Sequence, residues 1–311
     1  MQTIQRLLQI AVATGLTAYL VGSIGPEALA QTLVSARAAP LAAAAVMTTT
    51  GFVLNGLSLW LLFFLAAERP PPARLYWRAF FTTCYYALFL PGRAGDFTIA
   101  LLLRDVVPPA HSLVYVTLDK LITLLVMVLV GGGAVTLLLD PRVGVALITG
   151  GLLAFVAALW LATRRGLLAI LLRYRRLRRP LARLVRVIKL IPHPESRRLL
   201  LGNLAVTLVR LLIVGWSLMF LLAAFGGKVG YPVAVGSVAA VQLLSLVPIS
   251  VQGIGVLETA YIHLLDSAGV AAATVLAASL AGRILTVILV YGLHVAANLW
   301  PPHAFSLPKR P

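Results

Sequence analysis

The chain has 311 residues, 60% of them AVILMFWYC and only 11% charged, against about 45–50% apolar and about 25% charged in soluble domains. So few polar groups cannot cover a water-facing surface, and with a mean hydropathy of +0.98 a water-soluble fold is excluded. The net charge of +17 comes from 26 Lys+Arg and 9 Asp+Glu; twelve of those basic residues fall within 164–198, where Glu195 is the only acid, so the excess belongs to one loop and argues against nucleic acid as a partner.

A membrane-spanning helix needs about 20 predominantly apolar residues. Charge-free runs of that order occupy 7–26, 38–67, 121–139 and 143–163, and two more, 199–227 and 267–300, are interrupted by Arg210 and Arg283. Six spans are predicted. Arg6 ahead of the first run and Ala28-Leu29-Ala30 behind it resemble a signal peptide, but the run exceeds the usual h-region of about 7–15 residues, so a retained helix is expected. The single cysteine, Cys84, excludes an intramolecular disulfide and a cysteine metal cluster.

Two apolar stretches do not read as simple spans. The segment 79–92 runs into Pro91-Gly92-Arg93-Ala94-Gly95-Asp96 and a short arm ending at Arg104-Asp105; 229–257 runs into Pro248-Ile249-Ser250, then Gly253-Ile254-Gly255 and Glu258, and a short arm to Asp266. Each is too short to cross twice, and a Pro/Gly break at membrane depth must be buried in protein or line a wet cavity. They are predicted to be re-entrant hairpins. With the N-terminus inside, Arg69, Arg74, Arg78, the 164–198 loop and Lys309-Arg310 all fall on the cytoplasmic side. The two hairpins then enter from opposite faces, as broken helices do in inverted-repeat transporters. The predicted fold is an all-α polytopic membrane protein of about six spanning helices plus two oppositely inserted re-entrant helical hairpins, with an inverted repeat as a hypothesis. It is a single domain over 1–311: 4–163 holds the N-terminal helices and first hairpin, 164–198 a basic cytoplasmic loop, and 199–300 the C-terminal helices and second hairpin.

At the breaks the sequence resembles the integral-membrane domain of the lysylphosphatidylglycerol synthases, a family that includes stand-alone flippase-like members. Pro91-Gly92-Arg93-Ala94-Gly95-Asp96 with Leu101-Leu102-Leu103-Arg104 resembles that family's Pro-Gly-Arg-x-Gly-acid segment. Ser112 to Asp119-Lys120 resembles its Ser…Asp-Arg element, with Lys in place of the more usual Arg. Pro248-Ile249-Ser250 with Gly253, Gly255 and Glu258 resembles its Pro-x-Ser…Gly-x-Gly-x-x-Glu signature, and Arg283 the arginine that follows. The resemblance covers nearly the whole chain and implies movement of phospholipids or lipid-linked head groups between leaflets. Aminoacyl-lipid synthesis belongs to a soluble domain that follows the membrane part in the synthases. This chain ends eleven residues after Trp300, so it is not expected to be an enzyme.

The residues singled out for lipid head-group binding or translocation are Arg93, Gly95, Asp96, Asp119, Lys120, Gly253, Gly255, Glu258 and Arg283. Intramembrane charges are costly and tend to serve function, and helix N-termini starting near Gly95 and at Gly255 would favour a phosphate. The structural alternative is that these charges pair with one another and only fix helix packing, Arg283 with Glu258, and Lys120 or Arg93 with Asp96 or Asp119. His263 and Asp266 read as interfacial polar residues, since no metal motif surrounds them. Thr48, Thr49, Thr50, Asn55, Gln242, Ser245 and Ser250 either line a hydrophilic path or bond between helices. Without a Walker A, Gly-x-Ser-x-Gly or His-Glu-x-x-His motif, ATP-driven transport and hydrolysis are not expected.

In the basic loop, Arg173, Arg175, Arg176, Arg178, Arg179, Arg183 and Arg186 alternate with leucines and Tyr174, and Pro180 interrupts them. This reads as an interfacial segment on anionic lipid. The expected protein is a passive or ion-coupled lipid flippase without cofactor or metal, in the cell (inner or plasma) membrane with both termini cytoplasmic. Its expected partners are anionic phospholipid or polyprenyl-phosphate-linked lipid, with a homodimer or a biosynthetic enzyme as further possibilities. The competing expectation is a non-transporting protein that presents lipid to a partner enzyme or scaffolds a biosynthetic complex.

Overall fold

The computed structural model describes residues 2–65, 70–90, 94–163, 194–245 and 250–299. Among them are eleven α-helices: α1 Gln2–Ile24, α2 Pro26–Val34, α3 Ala38–Leu62, α4 Ala73–Ala87, α5 Ile99–Leu102, α6 Pro109–Leu138, α7 Pro141–Thr163, α8 Pro194–Ala224, α9 Tyr231–Leu244, α10 Val256–Asp266 and α11 Ala272–Leu299. Two 3₁₀ turns, Ala94–Thr98 and Val251–Gly253, precede α5 and α10. The starts are set locally. Pro26 and Pro109 open α2 and α6, where the missing N–H costs nothing. Asp140 Oδ1 accepts the backbone N–H groups of Arg142 and Val143 at 2.7 and 3.4 Å and so caps α7.

Four helices are long and apolar enough to cross a membrane: α3, α6, α8 and α11. At 25, 30, 31 and 28 residues they reach about 37–47 Å, beyond a hydrocarbon core of about 30 Å. α1 and α7 have 23 residues each. The arms around the two breaks are shorter, with 15 residues in α4, 14 in α9, 11 in α10 and 4 in α5. In each case the second arm folds back against the first.

Two boundaries differ from those drawn on the sequence. The span drawn from residue 121 starts at Pro109, because Asp119 and Lys120 find polar partners and the helix continues through them. The helical turn that starts near Gly95 is 3₁₀ from Ala94 to Thr98 and becomes α only at Ile99. A Cβ at Gly95 would stand 2.3 Å from the Ala87 Cα, so only glycine allows this backbone to press against α4.

Packing proceeds by antiparallel pairs. On α3 and α8, Thr48 meets Ser217, Asn55 meets Arg210, and the Ser58 carbonyl meets Asn203. α6 and α9 approach through small residues, Gly131 against Ala239 and Ala240, and Gly236 against Ala134. α4 and α11 are joined by Arg78 to Asn298, Thr82 to His294, and the Tyr85 ring stacked on His294 at 4.6 Å. An aromatic cluster of Phe63, Tyr76, Phe80 and Tyr115 fills the space between α3, α4 and α6, with the Tyr76 hydroxyl donating to the Gly56 carbonyl at 2.6 Å. A larger aliphatic core joins α8, α9 and α11. Outward positions such as Val46, Val53, Leu201 and Leu208 are exposed and apolar, as lipid-facing positions are.

Candidate functional site

The second break builds its site on backbone that few residues tolerate. Gln252 has φ 54°, and Gly253 and Gly255 have φ 71° and 82°, the left-handed region in which glycine carries no Cβ penalty. This fold-back places Glu258 in the first turn of α10, where its Oε2 accepts the Gly255 N–H at 2.7 Å. Its Oε1 accepts Arg283 Nε at 2.5 Å and the Ser279 hydroxyl at 3.2 Å. Arg283 Nη1 donates to the Gln252 carbonyl at 3.1 Å. The Glu258 side chain is 3% exposed and that of Arg283 29%, so the carboxylate is sealed and saturated while the guanidinium keeps an open edge. Among the described residues, Arg283 Nη2 meets no acceptor.

The first break joins a different group. Lys120 Nζ lies 3.2 Å from Asp96 and 3.3 Å from Asp119. Asp119 Oδ1 accepts Ser58 Oγ at 3.0 Å and Asn203 Nδ2 at 3.1 Å, and its side chain is 1% exposed. One helical turn along, Arg210 donates to Asn55 and to Thr123. The result is a polar ladder between α3, α6 and α8 in which each charge has a chain partner, the arrangement that offsets burial in a low-dielectric setting. A lipid head group has no access to Asp119 here.

The two breaks touch through Gln252. Its Nε2 donates to the carbonyls of Ala87, Leu88 and Leu90 at 3.0, 3.1 and 3.3 Å, supplying a donor to the α4 C-terminus, whose carbonyls lack helical partners. Beside this contact lies a cavity of about 720 Å³. Arg283, Gln252, Ser279, Thr286, Thr48 and Ser217 give it polar groups, and most of the remaining lining is apolar, including Phe89, Leu218 and the Tyr261 ring. Ile284, Val287 and Ile288 line it and are 62%, 51% and 61% exposed, so it opens sideways between α11 side chains toward the lipid-facing surface.

Of the residues singled out on the sequence, Glu258, Arg283, Gly253 and Gly255 come together at the cavity side, and Asp96, Asp119 and Lys120 form the separate ladder beside Gly95. Gly255 caps α10 as expected, but its N–H is taken by Glu258, so that donor is used within the chain. Arg93 and the arginines at 173, 175, 176, 178, 179, 183 and 186 lie outside the described residues. His263 and Asp266 are exposed on α10, and no group of His, Cys, Asp or Glu suited to a metal occurs among the described residues. Thr48 and Asn55 bond across helices, and Ser245 Oγ donates to the Gln242 carbonyl within α9 and its cap. Sequence reasoning missed Ser58, Asn203, Gln252 and Ser279, and took Arg210 only as an interruption. The available signal was helical spacing: Asn55 with Ser58, and Asn203 with Arg210, each place polar groups on one face of an apolar run.

Membrane-length apolar helices, charges held within them and an amphipathic cavity open to the side define a multi-pass helical membrane protein. The family described as Lysylphosphatidylglycerol synthase TM region matches residues 6–293, and the chain belongs to that family of membrane proteins in lipid-related processes. No curated protein matches the chain.

Proposed function

We propose that this protein is a lipid flippase, in which the cavity beside Arg283 receives the phosphate of a phospholipid or lipid-linked head group while the acyl chains stay in hydrocarbon. The observation that carries the reading is Arg283: a guanidinium in a membrane-length apolar helix, with one edge held by Glu258 and the Gln252 carbonyl and the other facing a mostly apolar, laterally open cavity. A charge kept at that depth calls for a polar partner, and arginine's planar fork suits phosphate oxygens. Glu258 orients the guanidinium.

The architecture supports alternating access. Taking α1, α3, α6, α7, α8 and α11 as six crossings, and α4 to α5 and α9 to α10 as re-entrant hairpins, α3 and α8 run in opposite directions. Their antiparallel contact agrees with this, and so does the exchange in which α4 packs on α11 and α9 on α6. These relations support a reading in which the unit of α3, first hairpin and α6 is an inverted repeat of α8, second hairpin and α11. The basic loop and both ends of the chain lie on the cytoplasmic side of the cell membrane in this topology, and no covalent chemistry is assigned to the protein.

The test is transbilayer movement of fluorescent anionic, zwitterionic and polyprenyl-phosphate lipids in vesicles holding the purified protein, with Arg283→Gln alongside. Head-group-selective movement lost in folded Arg283→Gln is the expected result. Absence of movement above empty vesicles overturns translocation and leaves lipid presentation to a partner as the working role.

A further inference from the structure

The two halves of the chain do not use their equivalent places in the same way. The spacing that carries Lys120 to Arg283 also carries Asp119 to Gly282 and Thr123 to Thr286. The spacing that carries Asp96 to Glu258 carries Asn55 to Ser217, Thr48 to Arg210, and the end of α3 at Leu62 to the end of α8 at Ala224. Contacts obey the same correspondence. The hydrogen bond from Arg210 to Asn55 in one half has its counterpart in the bond between Thr48 and Ser217 in the other. Asp119 lies against Ser58 on α3, whose equivalent is Phe220, and Gly282 lies against the next residue on α8, Leu221, whose Cδ1 would stand 3.0 Å from a Cβ at Gly282.

In the first half this place is filled by the chain itself. Asp119 sets a carboxylate 3.3 Å from Lys120, Ser58 and Asn203 hold that carboxylate, and Arg210 and Asn55 close the next turn. In the second half Asp119, Arg210 and Asn55 correspond to Gly282, Thr48 and Ser217, all three of which line the cavity, while Ser58 and Asn203 correspond to the apolar Phe220 and Leu41. The carboxylate that would complete the cation's coordination is missing beside Arg283, and the cavity stands where the ladder would be.

We infer that the halves divide the work: the first is a self-liganded mate in which Asp119 occupies the anion position, and the second is, among the described residues, the anion subsite, taking the phosphodiester of a lipid at the space left by Gly282, against the open edge of Arg283. The apolar lining from Leu218 to Ile288 accommodates the upper part of an acyl chain. This inference rests on the membrane-site reading above and sharpens it by assigning the ligand to one half. A carboxylate built at Gly282 copies the closed half and competes with the ligand for Arg283.

The test reads binding, with no translocation required. Purified full-length protein in detergent is titrated calorimetrically with dioctanoyl phosphatidylglycerol and with glycerol phosphate, which has the anion and no acyl chains. Gly282→Asp is expected to weaken binding of the lipid by about thirtyfold or more, and Gly282→Asn, of equal size and uncharged, by about threefold, the difference being the charge. Asp119→Asn keeps its contacts to Ser58 and Asn203 and is expected to leave affinity within about threefold; the pair Asp119→Asn with Lys120→Gln serves the same purpose if the single variant does not fold. The lipid should bind at least about tenfold tighter than glycerol phosphate. Equal loss in Gly282→Asp and Gly282→Asn, loss in a folded first-half variant, equal affinity for the two probes, or no binding of either by the wild type would each overturn the inference. Flipping that fails while this binding pattern holds would overturn the transport reading and leave the division between halves standing.

Discussion

Gln252 and Ala87 lie far apart in the chain, yet the Gln252 side-chain amide donates to the Ala87 carbonyl at 3.0 Å and continues to Leu88 and Leu90. The second break is thereby pinned to the first through a residue whose own backbone, at φ 54°, is strained. Gln252→Ala loses the bonds and keeps the strain, and is expected to cost about 1–2 kcal/mol. Gln252→Gly loses the same bonds but relieves the left-handed backbone, and should be more stable than Gln252→Ala by about 1 kcal/mol. Thermal unfolding of both variants in detergent checks the order, and Gln252→Gly falling below Gln252→Ala would show that φ does not limit this position.

The Glu258 and Arg283 pair predicts a stability pattern separate from function. Glu258 is sealed and holds three donors, so Arg283→Leu leaves a buried carboxylate short of its cation and is expected to cost about 3–5 kcal/mol. Glu258→Gln with Arg283→Gln removes both charges, keeps hydrogen-bonding groups in place, and should recover more than half of that loss. Transport should stay absent in the double variant, because the phosphate contact is gone. Melting temperatures measured together with lipid movement separate the two effects.

Much of this architecture was legible in the chain because membrane physics leaves few options. A charge-free run of sufficient length marks a helix, and the Pro/Gly breaks near Gly95 and Gly253 fall between the short arms α4 and α5 and between α9 and α10. Charge balance in an apolar setting offers Arg283 with Glu258 as one candidate pair without assigning it; the fold-back at Gly255 brings the two together. The ladder around Asp119 was not legible, because Ser58, Asn203 and Arg210 are brought together only by the antiparallel register of α3 and α8, and residues 58 and 203 carry no mutual mark in the sequence. The helical start at Pro109 was missed because Asp119 and Lys120 look like the end of an apolar run until their partners are known. The 3₁₀ turn through Gly95 depends on how closely the backbone approaches Ala87, which is again a tertiary fact.

Glycines within these helices separate into contact and bystander positions. At Gly95 a methyl group would stand 2.3 Å from the Ala87 Cα, and at Gly131 it would stand 2.7 Å from the Ala240 backbone nitrogen. Neither neighbour can swing aside, so Gly95→Ala and Gly131→Ala should each cost about 1–3 kcal/mol. Gly133 has nothing within 4 Å, and Gly133→Ala should be neutral or stabilising by up to about 1 kcal/mol. Melting temperatures of the three variants give the comparison, with Gly133→Ala reporting helix propensity alone.

The polar ladder makes opposite predictions for two neighbours on α8. Asn203 is fully buried and its Nδ2 serves both the Ser58 carbonyl, at 2.7 Å, and Asp119 Oδ1, at 3.1 Å. Asn203→Leu strips a donor from a sealed carboxylate and from a backbone carbonyl, and is expected to cost about 2–3 kcal/mol. Thr207, one turn further, is equally buried, but its hydroxyl has no hydrogen-bond partner among the described residues. Thr207→Val has nearly the same shape and removes only the unsatisfied group, so it should be neutral or stabilising by about 1 kcal/mol. Both positions lie on α8 about one turn apart and are equally buried, so lipid exposure and helix length do not distinguish them. A large loss in Thr207→Val would mean that its hydroxyl serves a buried water or ion, whereas the expected contrast assigns the stability of this interface to Asn203 and the carboxylate it holds.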